Sequence, residues 1–268
     1  MFLITIWLQG IYLPLHGFSY TETPFWAGIY MLPMLVGTVV MAPIGGSLTD
    51  KYGARIIATV GMVIIAISLY LLTLLPPYNF NLVEFESILF LNGVGNGLFA
   101  SPNTASIMNA LPPRDRGGAG NGMRQTLSNV GSTISMAMFF TIAMSVFSQY
   151  VPIRIHNIAL SYGLPTGIAD ALASIPASSL LFATFLGMDP PASVLPNSTV
   201  NNLPASVVRL LDSNTFLPSV LGPPFMMGLR FSLYISIVFV AIGAVLSYMR
   251  GGGRYVYEES IREGAYAS

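Results

Sequence analysis

Amides and hydroxyls at helical spacing, rather than paired acids or thiols, are the groups of this sequence best placed for chemistry. Asn92, Asn96 and Asn103 project within roughly 40° of one another at about 100° per residue, giving a polar stripe on one helix face. Gln125, Asn129 and Ser132 form a second stripe, and Gln9, Tyr12 and His16 a third. Uncharged amides and aromatic rings set in apolar walls suit a cavity that takes bulky lipophilic compounds through a few adaptable hydrogen bonds. The same groups also suit bonding between packed helices, or holding backbone freed at Gly and Pro positions. His16, near the end of its segment, is either a titrating group on a proton path or an interfacial polar residue. Arg124 lies inside an apolar segment. It is either a functional buried base or a base that snorkels to the membrane surface.

Other chemistries lack their residues. The chain has no cysteine and two histidines, His16 and His156, so disulfides, thiolate metal sites and cysteine nucleophiles are excluded. No cluster of acids, histidines or nucleophile and base shares a common depth in the sequence, so no catalytic set, metal site or cofactor site is expected. Composition points the same way. The chain is 53% hydrophobic and 8% charged, with a mean hydropathy of +0.68, whereas a soluble domain carries about a quarter charged residues. Its net charge is zero, which implies no bulk attraction to nucleic acid. The partner implied is the lipid bilayer.

Six apolar segments could position these stripes: 1–16, 26–48, 56–75, 86–110, 121–147 and 225–249. The first is short, since sixteen helical residues reach about 24 Å against a hydrocarbon core of about 30 Å. It reads as a helix whose beginning is missing or misassigned. Lys51 and Arg55, Arg114 and Arg116, and Arg250, Arg254 and Arg262 fall on one side of a six-span arrangement. The positive-inside rule then puts both termini and a 250–268 tail in the cytoplasm. Residues 148–224, rich in Pro, Ser, Asn and Ala, read as a long extracellular loop. Within it, 167–187 is nearly long enough to span but carries Asp170 and Pro176, so it is expected to be interfacial. Asn197-Ser198-Thr199 is a glycosylation sequon, a weak motif. No linker divides the chain, and 1–268 is expected to be one membrane domain.

The connection between the second and third segments is the most specific feature. It reads Gly46-Ser47-Leu48-Thr49-Asp50-Lys51-Tyr52-Gly53-Ala54-Arg55: two glycines, one acid and bases in a short turn between membrane-length helices. Glycine allows close helix approach and a tight reversal, and Asp50 is placed to stabilise the start of the next helix. Lys51 and Arg55 are placed to bind lipid headgroups or acids on a neighbouring helix. With this turn the chain resembles the major facilitator superfamily of transporters. Further motifs narrow the likeness to the C-terminal half of the fourteen-span drug:proton antiporter branch. They are Trp7-Leu8-Gln9-Gly10-Ile11-Tyr12-Leu13, the run Trp26 to Pro33, Gly93-Val94-Gly95-Asn96-Gly97 with Pro102, and Arg116-Gly117-Gly118-Ala119-Gly120-Asn121-Gly122.

The resemblance implies an all-α integral membrane fold, a six-span half of a major facilitator bundle with a long extracellular loop before its last span. It implies a multi-pass protein of the cell membrane, a small lipophilic substrate, and protons as the coupling ion. It also assigns Gly46, Asp50, Lys51, Gly53 and Arg55 to a cytoplasmic latch, beside the plainer reading of a structural turn with solvated bases. The acids Asp50, Glu84, Glu86 and Asp115 sit at helix ends or in turns, whereas relatives of this kind carry membrane acids in a second six-span bundle. The expected function is one half of a proton-coupled multidrug exporter, inactive without its N-terminal half or a second copy. The alternative is a non-transporting membrane scaffold or a truncated remnant.

Overall fold

The computed structural model describes residues 1–76, 78–109, 111, 117–186 and 215–249. Among these, every regular element is helical. The sequon at 197–199, Arg114, Arg116 and the 250–268 tail lie outside the described residues.

The chain opens with α1 (Phe2–Trp7), a π turn (Leu8–Tyr12) and α2 (Leu13–Leu15). Sequence spacing predicts one regular helix here. Pro14 has no N–H to give the Gly10 carbonyl, and the wider turn just before it absorbs the lost bond. Next come α3 (Thr23–Tyr52) and α4 (Ala54–Leu74). Their ends lie within a few residues of expectation, because Gly53 between them takes φ +86, a conformation that L side chains rarely adopt. α5 (Leu82–Asn109) starts earlier than expected. Asn81 accepts the Val83 N–H at 3.0 Å, a side-chain cap, and Glu84 in the first turn faces the positive end of the helix.

Two boundaries correct the sequence reading. α6 (Gly118–Ser161) runs on well past residue 147 with Pro152 inside it. The last helix, α9 (Phe216–Met249), begins ahead of Pro223 and Pro224 rather than after them. A proline ends a helix only if its lost bond and steric clash outweigh packing, and here buried Val151, Ile155, Leu221 and Phe225 hold the flanking turns. The region expected as a continuous loop over 148–224 is therefore helical at both ends. It also holds α7 (Thr166–Ala173) and α8 (Ala177–Leu186). The eight and ten described helical residues on either side of Pro176 reach about 12 and 15 Å.

Among the described residues, four helices are long and apolar enough to cross a membrane: α3, α4, α6 and α9. α5 has the length, at 28 residues, but its Asn, Gly, Ser and Thr dilute its apolar character.

Contacts divide the chain into two compact units. One comprises Met1–Tyr30, Pro76–Phe80 and Ala137–Ser232. Its centre is an aromatic column in which Trp7 lies 5.0 Å from Phe80, and Phe80 stacks on Tyr12 at 4.3 Å. Gly228 in this unit lets α9 meet the Ala143 backbone of α6, where an added Cβ would fall 2.5 Å from the carbonyl. His156 of α6 pairs with Asp170 of α7 at 3.2 Å. The other unit comprises Met31–Leu75, Asn81–Met136 and Leu233–Ser268. Here α5 is clamped between α3 and α4 by glycines on two faces. Gly93 and Gly97 lie against Met34 and Thr38 of α3, and Gly95 lies against Gly61 and Ile65 of α4. Small residues that let backbones touch are the usual route to tight association in lipid.

Candidate functional site

The α5 stripe is drawn into packing. Asn92 is 1% exposed and donates to the Ser68 hydroxyl of α4 at 2.7 Å. Asn96 donates to the Asn92 side-chain oxygen at 2.9 Å. The three groups form an interhelical chain in which each polar atom spares another from apolar surroundings. Asn103, two turns beyond Asn96, is half-buried. Sequence spacing could place Asn92 and Asn96 together but could not find Ser68, which comes from another helix.

The stripe on the first segment is similar. Tyr12 is buried within the aromatic column, and its ring lies 4.0 Å from that of His16. His16 Nδ1 lies 2.7 Å from the Tyr12 carbonyl, so that nitrogen carries the hydrogen and donates it. Gln9 is half-buried.

The α6 stripe behaves differently. Asn121, Gln125, Ser128, Asn129 and Ser132 are all exposed and lie on one side of the helix, within about 100° of one another. Met123, Leu127, Val130 and Ile134 lie on the opposite side and are equally exposed. Gln125 donates to Asn129 at 3.1 Å, and the Arg124 guanidinium reaches the Asn121 side-chain oxygen at 3.3 Å. Gly122 and Gly131 have open space where a Cβ would stand. The exposed faces of α3 and α9 are instead lined by large apolar residues, such as Leu35, Val36 and Val39, and Val238, Phe239 and Ile242. Those suit lipid. An amide face does not, because hydrocarbon leaves its donors and acceptors unsatisfied.

At the α3–α4 turn, one expectation is corrected. Asp50 does not cap α4: it lies in the last turn of α3, and the cap position belongs to Gly53, with no side-chain hydrogen bond. The two helices are joined so tightly that no free turn is left for a carboxylate to fold back from. Gly46 approaches the Ser101 hydroxyl of α5, where an added Cβ would stand 3.2 Å away. Lys51 lies 5.8 Å from the Tyr52 ring. Arg55 lies 4.2 Å over the ring of Tyr248 near the end of α9. Neither Tyr248 nor the outlying pair Arg154 and Tyr78 is singled out by sequence spacing, since their partners are distant in the chain.

Helices of membrane length, glycine-mediated packing and the glycine turn between two of them describe a polytopic membrane bundle of the transporter type. A sequence model described as Major Facilitator Superfamily matches residues 1–255, and the chain belongs to that family. It is an all-helical integral membrane protein. The efflux pump mokI of Monascus pilosus is 28% identical over 188 residues, 66% of this chain and 33% of that protein. The riboflavin transporter RibZ of Clostridioides difficile (strain 630) is 35% identical over 117 residues, 44% of this chain and 25% of that protein. Multidrug resistance protein 3 of Bacillus subtilis (strain 168) is 30% identical over 146 residues, 54% of this chain and 27% of that protein. The matched stretch thus spans only a quarter to a third of these relatives' own length.

Proposed function

We propose that the chain forms the C-terminal six-span bundle of a proton-coupled exporter of small lipophilic compounds, working by alternating access against a second six-span bundle. The observation that carries this reading is the exposed amide face of α6, with Gln125 and Asn129 at its centre. Such a face is stable in a membrane only against protein or a water-filled cavity, and a cavity between two bundles is where transporters of this architecture bind substrate. The names of the relatives, an efflux pump and a multidrug resistance protein, supply the substrate class. Asp50, Glu84 and Glu86 stand in the last turn of α3 and the first turns of α5, so the proton-carrying acids belong to the second bundle. The exporter resides in the plasma membrane with both termini in the cytoplasm.

Immunoaffinity purification from the native membrane through the 251–268 tail, followed by reconstitution into proteoliposomes, tests the proposal. An imposed proton gradient should drive ethidium transport by the native material and not by the chain expressed and reconstituted alone. Equal transport by the lone chain would sink the half-bundle reading. Absence of transport by native material containing both bundles would sink the exporter reading.

A further inference from the structure

Four stretches of the unit containing α7 and α8 meet around a cavity of about 640 Å3. They are the end of α2, Tyr78 with Asn79, the far part of α6, and Thr215 with the first turns of α9. The volume is that of a site for a small organic molecule, about 300–1,000 Å3. At 44 residues, α6 is about 66 Å long, far more than the hydrocarbon core needs. Arg154 and Ser161 lie on its last turns and line the cavity.

The charge in this cavity is unbalanced. Arg154 is half-buried and donates from Nε to the Val220 carbonyl at 2.9 Å, with the Tyr78 hydroxyl beside it. Tyr78 in turn donates to the Ser219 carbonyl at 2.7 Å. Burial pushes the Tyr78 phenol above its ordinary value, and Arg154 beside it pulls it only partly back, so it remains a neutral hydroxyl at physiological pH. Both partners of the guanidinium are thus uncharged. Among the described residues no carboxylate lines the cavity, and Arg154 has no ion pair. A guanidinium carries five N–H donors, and two neutral acceptors do not occupy them. Held in place by Val220 and Tyr78, it keeps a planar fork that matches a carboxylate or phosphate. Asn79, Ser161 and Tyr162 add neutral polar groups, while Leu15, Ile158 and Phe216 supply apolar wall.

We infer that this cavity binds the carboxylate or phosphate of an amphiphilic anion, with Arg154 as its counter-charge and Asn79 beside it. The anion is either the headgroup of an acidic lipid or a soluble organic acid, two sources of one chemistry. The inference stands apart from transport and from the second bundle.

The test uses the full chain in nanodiscs of phosphatidylcholine, read by its thermal unfolding midpoint. Phosphatidylglycerol doped into the discs is one probe, and soluble benzoate or inorganic phosphate is the other. At least one should raise the midpoint in a saturable way. Saturation by phosphatidylglycerol alone assigns the lipid, and by benzoate or phosphate the soluble acid. Arg154→Gln should weaken the response on the order of tenfold or more, as expected for a hydrogen bond to a charged group. Because Arg154 also ties α6 to α9, Asn79→Asp is the companion variant. It sets a carboxylate in the cavity without touching that tie, and it should weaken binding to a similar degree while the protein stays folded. No saturable response to any probe, or a folded Asn79→Asp or Arg154→Gln protein that responds like the wild type, would overturn the inference.

Discussion

At the scale of single residues, the clearest interaction at the α3–α4 turn is Arg55 over Tyr248. Its Nε is buried and has no hydrogen-bond partner among the described residues, so the ring face is what receives the charge. A cation over an aromatic face contributes about 0.5–2 kcal/mol, the higher figure when desolvated. The phenol hydroxyl has no part in that attraction. Tyr248→Phe should therefore leave the thermal midpoint of the purified protein unchanged, while Tyr248→Leu lowers it by the equivalent of about 0.5–2 kcal/mol. If Phe and Leu lower it equally, the contact is not a cation–ring interaction. Asp50, read from spacing as a helix cap, shows how a residue's role depends on the turn around it. A connection one residue shorter or longer changes which helix the carboxylate belongs to.

Among elements, the packing of α5 against α4 turns on backbone contact. A Cβ at Gly95 would fall 2.8 Å from the Gly61 carbonyl and 2.9 Å from the Ile65 nitrogen. Neither atom is the free end of a side chain, so the helices must part. Gly95→Ala should destabilise by about 1–3 kcal/mol, the usual cost of overpacking. Gly131→Ala on α6, where a Cβ meets nothing within 4 Å, should be neutral or better, since alanine favours helix. Equal midpoints for the two variants would count against a clamped α5. On α6, single-thiol labelling separates the two faces, since this chain has no cysteine of its own. In the native assembled membrane, Gln125→Cys and Asn129→Cys should react with a membrane-impermeant maleimide much faster than Met123→Cys and Leu127→Cys. Similar rates on both faces would mean that no aqueous cavity lies against the amides. Much of this organisation was legible beforehand. The apolar runs placed α3 and α4, and Gly53 marked their junction, because both signals are local. The Ser68–Asn92 bond, the Arg154–Val220 tie and the Gly61–Gly95 contact were not legible, because each depends on how separate helices meet. The extents of α6 and α9 were not legible for a related reason: whether a helix runs through Pro152, Pro223 or Pro224 depends on the packing around them.

For the whole molecule, orientation follows from charge and helix length together. α4 has 21 residues, about 31 Å of helix, which matches one crossing of the hydrocarbon core. Its two ends must then emerge on opposite sides of the membrane. The end at the α3–α4 turn carries Lys51 and Arg55, whereas the connection to α5 carries no base and leads into Glu84 and Glu86. Bases near span ends favour the cytoplasmic side, so the proposed orientation puts the turn in the cytoplasm and the connection to α5, with Tyr78 and Asn79, outside. Arg154 does not reverse this balance, since it sits far along a helix of 44 residues rather than in a short connection. Asn79→Cys should accordingly be labelled in intact cells by a reagent that cannot cross the membrane, and Lys51→Cys only after the cells are opened. The reverse pattern would put the cavity and its anion on the cytoplasmic side, and the bases of the turn outside against the charge rule. Labelling of both positions in intact cells would mean that α4 does not span, and the six-span arrangement would fall with it.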